Sequence, residues 1–159
     1  MRELLELLEH DAKRPVAELA AMLNRSEYEV EQQIKKLEDD KVILNYNTLI
    51  NWEKFGDDTV TATIEVKVTP QREVGFDAIA ERIYRFDEVR SVYLMSGAFD
   101  LLVMIEGKSL KDISNFVATR LATIEGVVST RSNFMLKLYK KDGVIIEDRE
   151  HDRRLVVSP

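Results

Sequence analysis

Leu4, Leu5, Leu7 and Leu8 fall on one broad helical face with Glu3, Glu6 and Glu9 opposite, so the chain opens on a short amphipathic helix over residues 2–9. The stretch HDAKRP ends it, because Pro15 disfavours a helical residue before it and suits the first turn of a new helix. Val16, Leu19, Ala20 and Leu23 then recur at the i, i+3, i+4, i+7 spacing of a second helix. Asn24 and Arg25 make a tight turn. Ser26 followed by Glu29 is the S-x-x-E capping box, in which two side chains satisfy amide donors left over at a helix start. Beyond it Val30, Ile34 and Leu37 draw a one-sided apolar stripe. Three short helices within 40 residues, the last two about three residues apart, predict a helix-turn-helix. Val42, Leu44 and Tyr46 alternate as a strand or wing does, and Gly56-Asp57-Asp58 closes the unit. The expected division is a headpiece over 1–47 and a linker over 48–58.

The second half carries the other period. Val60, Ala62, Ile64, Val66 and Val68 alternate with polar residues, the mark of a strand with one buried face. Phe76, Ile79, Ala80 and Ile83 predict a helix, Val89–Met95 and Leu101–Ile105 two strands around an SGAFD turn. Ser109 with Asp112 caps a helix bearing Ile113, Phe116, Val117, Leu121 and Ile124, and Val127–Tyr139 reads as a last long strand. The order is βαββαβ, and a shift of 38 positions supports it. That shift lays Ile79 on Val117, Ala80 on Ala118, Arg82 on Arg120, Ile83 on Leu121 and Val89 on Val127. The fold class is therefore α+β: an N-terminal winged helix-turn-helix, then a C-terminal ferredoxin-like βαββαβ sandwich over 59–140. Such a sheet leaves one face bare, and a second copy of the chain is the simplest cover, so a dimer is expected. Residues 141–159 hold a DG turn signal and two apolar bits, VII and LVV, around a charge cluster; they fit an added hairpin or an arm onto a neighbour.

Composition narrows the chemistry. With 45% hydrophobic and 33% charged residues the chain is an ordinary globular one, not a disordered one. Cysteine is absent, which excludes disulfides and thiolate metal sites. No run is long and apolar enough for a membrane span and the N-terminus is no signal peptide, so a soluble, cytoplasmic protein is expected. The net charge of −6 argues against general nucleic-acid binding, whose affinity comes from Lys and Arg displacing counterions.

A helix-turn-helix, a linker and a βαββαβ domain containing YLMSGAFDLLV together resemble the Lrp/AsnC, or feast/famine, family of transcription regulators. The family pattern V-x-x-R-I-x-x-L-E-x-x-G-I-I is visible as Val30, Gln33, Ile34, Leu37, Glu38, Lys41, Val42 and Ile43, with Gln33 for the usual Arg and Lys41 for the usual Gly. The resemblance covers nearly the whole chain. It implies double-stranded DNA as a partner, a homodimer joined through the sheets, often assembled as an octamer, and a small effector such as an amino acid bound between dimers near the S-G-x-x-D turn.

In a helix-turn-helix the start of the second helix reaches base edges, here Ser26, Glu27, Tyr28, Glu31 and Gln32. Glutamate accepts from cytosine N4 and glutamine bridges adenine. Phosphate contacts fall to the cations: Lys13 and Arg14 before the second helix, Arg25 in the turn, Lys35 and Lys36 further along. Against them stands an excess of acids, eleven to seven over residues 1–47, so the alternative of a metabolite-binding protein whose headpiece no longer reads DNA is kept. Each glutamate alone has a plain explanation as a solvated face favoured by the helix dipole.

The family's effector pocket, carried over by position, comprises Leu94, Met95, Ser96, Gly97, Ala98 and Asp100, with Leu110, Asn133, Phe134 and Met135. Turn amides suit a carboxylate, and Asp100 is a candidate acceptor for an α-ammonium. The plain alternatives are a simple turn for Gly97 and Asp100 and core packing for Leu94, Leu110, Phe134 and Met135. Asn133 and Phe134 point to opposite faces of their strand, so both cannot face one ligand equally. No catalytic, metal-ligating or cofactor-binding residue is expected: His10 and His151 are far apart, and no nucleophile elbow, P-loop or zinc-protease motif occurs. One enzyme class resembles the family, the siroheme decarboxylases. They need basic groups, histidine among them, and residues 59–140 hold no histidine.

Overall fold

The computed structural model describes residues 1–69 and 75–146, which form two compact units divided between Ile50 and Asn51. In the first unit, α1 (Arg2–His10), α2 (Val16–Leu23) and α3 (Glu27–Asp39) pack around Leu4, Leu8, Leu19, Ala20, Val30 and Leu37, with Leu5, Leu7, Val16, Leu23, Ile34 and Ile43 against them. Asn24 ends α2 in the left-handed conformation (φ 51°), which its short polar side chain tolerates. Ser26 then starts α3: its hydroxyl accepts from the Glu29 amide at 3.3 Å while the Glu29 carboxylate accepts from the Ser26 amide at 2.9 Å. These Ser26 bonds, the backbone one first, hold the Glu29 carboxyl below its ordinary pKa.

The other end of α3 is a Schellman motif, with Val42 N–H on the Leu37 carbonyl and Lys41 N–H on that of Glu38. Lys41 occupies the left-handed position (φ 58°) that favours glycine. Lys41→Gly is accordingly expected to raise the unit's stability by about 0.5–1 kcal/mol, the relief of the Cβ clash less the added freedom of the unfolded chain, as read by chemical denaturation. The segment expected as a strand or wing pairs with nothing in the described residues. Val42–Tyr46 runs irregularly because Ile43 is drawn into the core and the Tyr46 hydroxyl donates to Glu38 at 2.8 Å. Burial first, then that bond, raises the Tyr46 pKa.

The second unit begins in the expected linker with one helical turn, α4 (Trp52–Phe55), capped by the Asn51 side chain. Then follow β1 (Val60–Val68), α5 (Asp77–Tyr84), β2 (Val89–Leu94), β3 (Leu101–Gly107), α6 (Leu110–Phe116), β4 (Val127–Phe134) and a hairpin, β5 (Lys140–Lys141) with β6 (Val144–Ile145). The four long strands form an antiparallel sheet in the order β2-β3-β1-β4, the ferredoxin-like arrangement. Ala62, Ile64, Val66 and Val68 from β1 and Leu101, Val103 and Ile105 from β3 bury against Ile79 and Ile83 of α5 and Ile113 and Phe116 of α6. Alternation does this directly: the buried set is every second residue.

The last helix widens into a π-helical turn over Val117–Leu121, which still buries Val117 and Leu121. The internal repeat has a physical counterpart. Arg82 on the first helix lies 4.0 Å from Glu125 after the second, and Arg120 on the second lies 2.5 Å from Glu88 after the first. Two strands are shorter than their sequence pattern: β2 stops at Leu94, and β4 stops at Phe134, with a last bond from the Met135 amide to the Thr61 carbonyl (2.9 Å) before Leu136–Tyr139 leaves the sheet. The DG signal makes the hairpin, with Asp142 (φ 46°) and Gly143 (φ 82°) both left-handed as a type I′ turn requires. The charge cluster beyond it, LVV and His151 lie outside the described residues. Among the described residues, no helix is long and apolar enough to cross a membrane.

Candidate nucleic-acid interface and effector site

The capping box that starts α3 also fixes which side chains point away from the core. With Val30, Ile34 and Leu37 turned inward, Glu27, Tyr28, Glu31, Gln32, Lys35 and Lys36 are exposed, Tyr28 at 70% of its full area. Tyr28, Glu31 and Lys35 follow the i, i+3, i+7 spacing of one face, and Gln32 and Lys36 lie beside it. Ser26, exposed at the start of α3, makes the capping box its spacing predicts. Its hydroxyl accepts from the Glu29 amide and donates to the Glu29 carboxylate at 2.7 Å, which leaves it one acceptor site to offer outward.

The expected phosphate-facing cations divide. Lys13, Lys35 and Lys36 are exposed. Arg14 is not: its side chain keeps 18% of its area, lies 3.3 Å from Glu18 and donates to the Met22 sulfur at 2.8 Å. Arg25 donates to the Gln33 carbonyl oxygen at 2.5 Å, so the glutamine that replaces the family's arginine holds the turn's own arginine against α3.

In the second unit the SGAFD turn joins β2 to β3. Gly97 sits at φ 151°, a conformation that residues with a Cβ rarely adopt. Asp100 closes the turn at three points: its amide donates to the Val66 carbonyl (3.0 Å), its carbonyl accepts from the Met95 amide (2.8 Å), and its carboxylate accepts from the Val68 amide (2.9 Å). That last donor is free because Val68, like Val66, turns its backbone groups toward β3, and the β1–β3 ladder has already ended at the Val66–Leu101 pair. The carboxylate expected to receive an α-ammonium is therefore already an acceptor within the fold. Among the described residues, the amides of Ser96, Gly97, Ala98 and Phe99 have no partner in the protein.

The remaining expected pocket residues do not converge in one unit. Phe134 packs against the core, as an even-numbered β4 residue must when Asn133 faces the other way. Leu94, Met95, Leu110 and Met135 are exposed apolar groups, Leu94 at 62% and Leu110 at 55%. The turn instead overhangs the open sheet face. Ala98 and Phe99 line a concavity of about 340 Å³ with Glu65, Lys67, Ser129, Thr130 and Arg131. Glu65, Lys67, Phe99 and Arg131 were not expected there; only the register that sets Glu65 against Arg131 and Lys67 against Ser129 brings them together. The rest of that face is apolar on its β2–β3 side, with Tyr93, Leu102 and Met104 in neighbouring register positions.

The comparisons with known proteins agree with this architecture. Residues 61–145 match the Lrp/AsnC ligand binding domain. The chain is 50% identical over 158 residues, covering 99% of this chain and 95% of the relative, to YugG of Bacillus subtilis, an HTH-type transcriptional regulator itself uncharacterized. It is 31% identical to the HTH-type transcriptional regulator LrpA of Pyrococcus abyssi, covering 86% and 94% of the two chains. Among solved structures, a feast or famine regulatory protein from M. tuberculosis complexed with L-methionine superposes with a TM-score of 0.73 at 25% identity, covering 92% and 96%.

Proposed function

The chain belongs to the Lrp/AsnC family, and from that premise we propose a one-component transcription regulator that works by binding rather than by catalysis. Its helix-turn-helix takes double-stranded DNA in the cytoplasm, with Glu27, Tyr28, Glu31 and Gln32 toward base edges and Lys13, Lys35 and Lys36 toward phosphates. What supports this is the outward face of α3, whose polar groups are exposed while the core and both caps hold the helix in place. Its ferredoxin-like unit pairs with a twin through the open sheet face, in dimers that can associate further into octamers. The same unit senses a small effector of the amino-acid class, as the mycobacterial relative binds L-methionine, with the SGAFD turn, Leu94, Met95, Leu110, Asn133 and Met135 as the candidate surroundings. A coupling of about 1–3 kcal/mol between effector and DNA is enough for regulation.

One observation favours a second reading, a metabolite-binding oligomer that leaves DNA alone. Arg14 and Arg25 are engaged by Glu18, Met22 and Gln33, in a unit that is already acidic. A gel-shift titration on the protein's own promoter separates the two. The regulator forms a specific complex that weakens steeply from low to physiological salt. Absence of a complex even at low salt would establish the second reading instead.

A further inference from the structure

The polar side chains of α3 fall into two sets. One set is used by the headpiece itself: Glu29 completes the capping box, Gln33 takes the Arg25 guanidinium, and Glu38 accepts from the Tyr46 hydroxyl. The other set, Glu27, Tyr28, Glu31, Gln32 and Lys35, is exposed and has no side-chain hydrogen bond or ion pair among the described residues. Glu31 is the member that folding explains least. It stands in the second turn of α3, past the first turn within which the helix dipole favours an acid. Glu27 lies one turn before it, at the i, i+4 spacing where like charges repel, and Lys35 one turn after it makes no ion pair with it. Cations are missing from the same region. The first two turns of α3, Glu27 to Gln33, hold no lysine or arginine. Arg25, in the preceding turn, is directed toward half-buried Gln33 rather than along this face.

We infer that Glu31 is a specificity-determining residue that accepts from the N4 amine of one cytosine in each operator half-site, and that the guanine paired with it is not read through its N7 and O6 edge. This assignment deepens the proposed DNA binding, on which it rests, by naming the base. The start of the second helix is what reaches base edges in a helix-turn-helix. In the major groove cytosine offers only its N4 donor, adenine sets an N7 acceptor beside its N6 donor, and guanine offers two acceptors. A carboxylate has acceptors only, so cytosine is the base whose own edge matches it without an opposing acceptor. Phosphates repel the same carboxylate, so it lowers affinity for every sequence and recovers part of the loss where an amine meets it. That is discrimination by penalty on the wrong partner. Guanine is matched by arginine or lysine, and the first two turns of α3 have neither.

The test uses the full chain and the duplex that it selects from a random library. At each C·G pair of that duplex, 2-pyrimidinone replaces cytosine to remove the 4-amino group, and separately 7-deazaguanine replaces guanine to remove N7. Gel-shift affinities are read for the wild type, Glu31→Ala and Glu31→Arg at one salt concentration. Comparing the variants on one duplex cancels the weaker pairing of 2-pyrimidinone. The expected result is one position per half-site at which loss of the amine weakens the wild type at least about tenfold and Glu31→Ala less than about threefold. At that pair 7-deazaguanine leaves the wild type within about twofold, because no cation reads that edge. Glu31→Arg, matched to guanine instead, reverses the pattern. A wild type indifferent to the amine at every C·G pair would overturn the inference and leave DNA binding standing. So would an amine loss that Glu31→Ala feels as strongly, or affinity lost with 7-deazaguanine at the pair that Glu31 covers. If the full chain selects no duplex even at low salt, the regulator reading itself fails and the base assignment with it.

Discussion

Replacing Leu102 and Met104 together by Asp is expected to leave the ferredoxin-like unit folded, to release the protein as single chains, and to lower its affinity for an operator at least a hundredfold. Both side chains stand on the open face of β3, between buried Leu101, Val103 and Ile105 that face the helices. Carboxylates at these positions meet water in the isolated chain and so cost the fold little. In a paired sheet they are buried without a partner, at about 3–5 kcal/mol each. Two-fold symmetry enters each substitution twice. DNA affinity follows, because a single headpiece gives up half of the phosphate contacts. Sedimentation velocity reads the first effect, circular dichroism checks the fold, and gel shift reads the third. A double variant that remains dimeric would place the pairing surface elsewhere.

Replacing Lys35 and Lys36 by Glu is expected to abolish DNA binding at physiological salt while leaving assembly unchanged. These two, with Lys13, are the cations of the candidate interface that remain unengaged, since Arg14 and Arg25 are held by neighbours. In a dimer four lysines are lost. The slope of log affinity against log salt should become shallower by about 4, close to one unit for each phosphate contact removed. Glu31→Ala is the contrasting change. It removes a base-edge acceptor rather than a phosphate contact, so it should relax sequence preference and leave the salt slope alone. If the lysine pair alters neither affinity nor slope, α3 does not lie along DNA.

What could be read from sequence was what neighbours along the chain decide. The S-x-x-E box, the apolar stripes of the three helices and the strict alternation from Val60 to Val68 are local patterns, and each became the element its period implies. The 38-residue repeat extended this to topology, because two similar βαβ halves have few ways to share one sheet. The outcomes that differed are set by contacts that hydrophobic periodicity does not encode, some distant in sequence and some only one or two turns away. Val42–Tyr46 alternates like a strand, but among the described residues no second strand pairs with it, and Tyr46 is taken up by Glu38 instead. The pattern of Val127–Tyr139 continues past the Ala62–Phe134 pair, where the ladder with the start of β1 runs out. The candidate site shows the same division. The SGAFD turn was evident, yet its partner surface from β1 and β4 depends on a register with a bulge in it, which no local pattern encodes. Likewise, whether an arginine faces solvent or a neighbour depends on Glu18 and Gln33 standing one or two turns away.

The central claim is that the bare face of the β2-β3-β1-β4 sheet is covered by another copy of the same chain, so that the DNA-binding and sensing units act in pairs. Sedimentation velocity of the full-length protein at micromolar concentration tests this most directly. The predicted result is a boundary at the mass of a dimer or an even-numbered multiple of it, with no single-chain species. A protein that sediments wholly as one chain would contradict the claim.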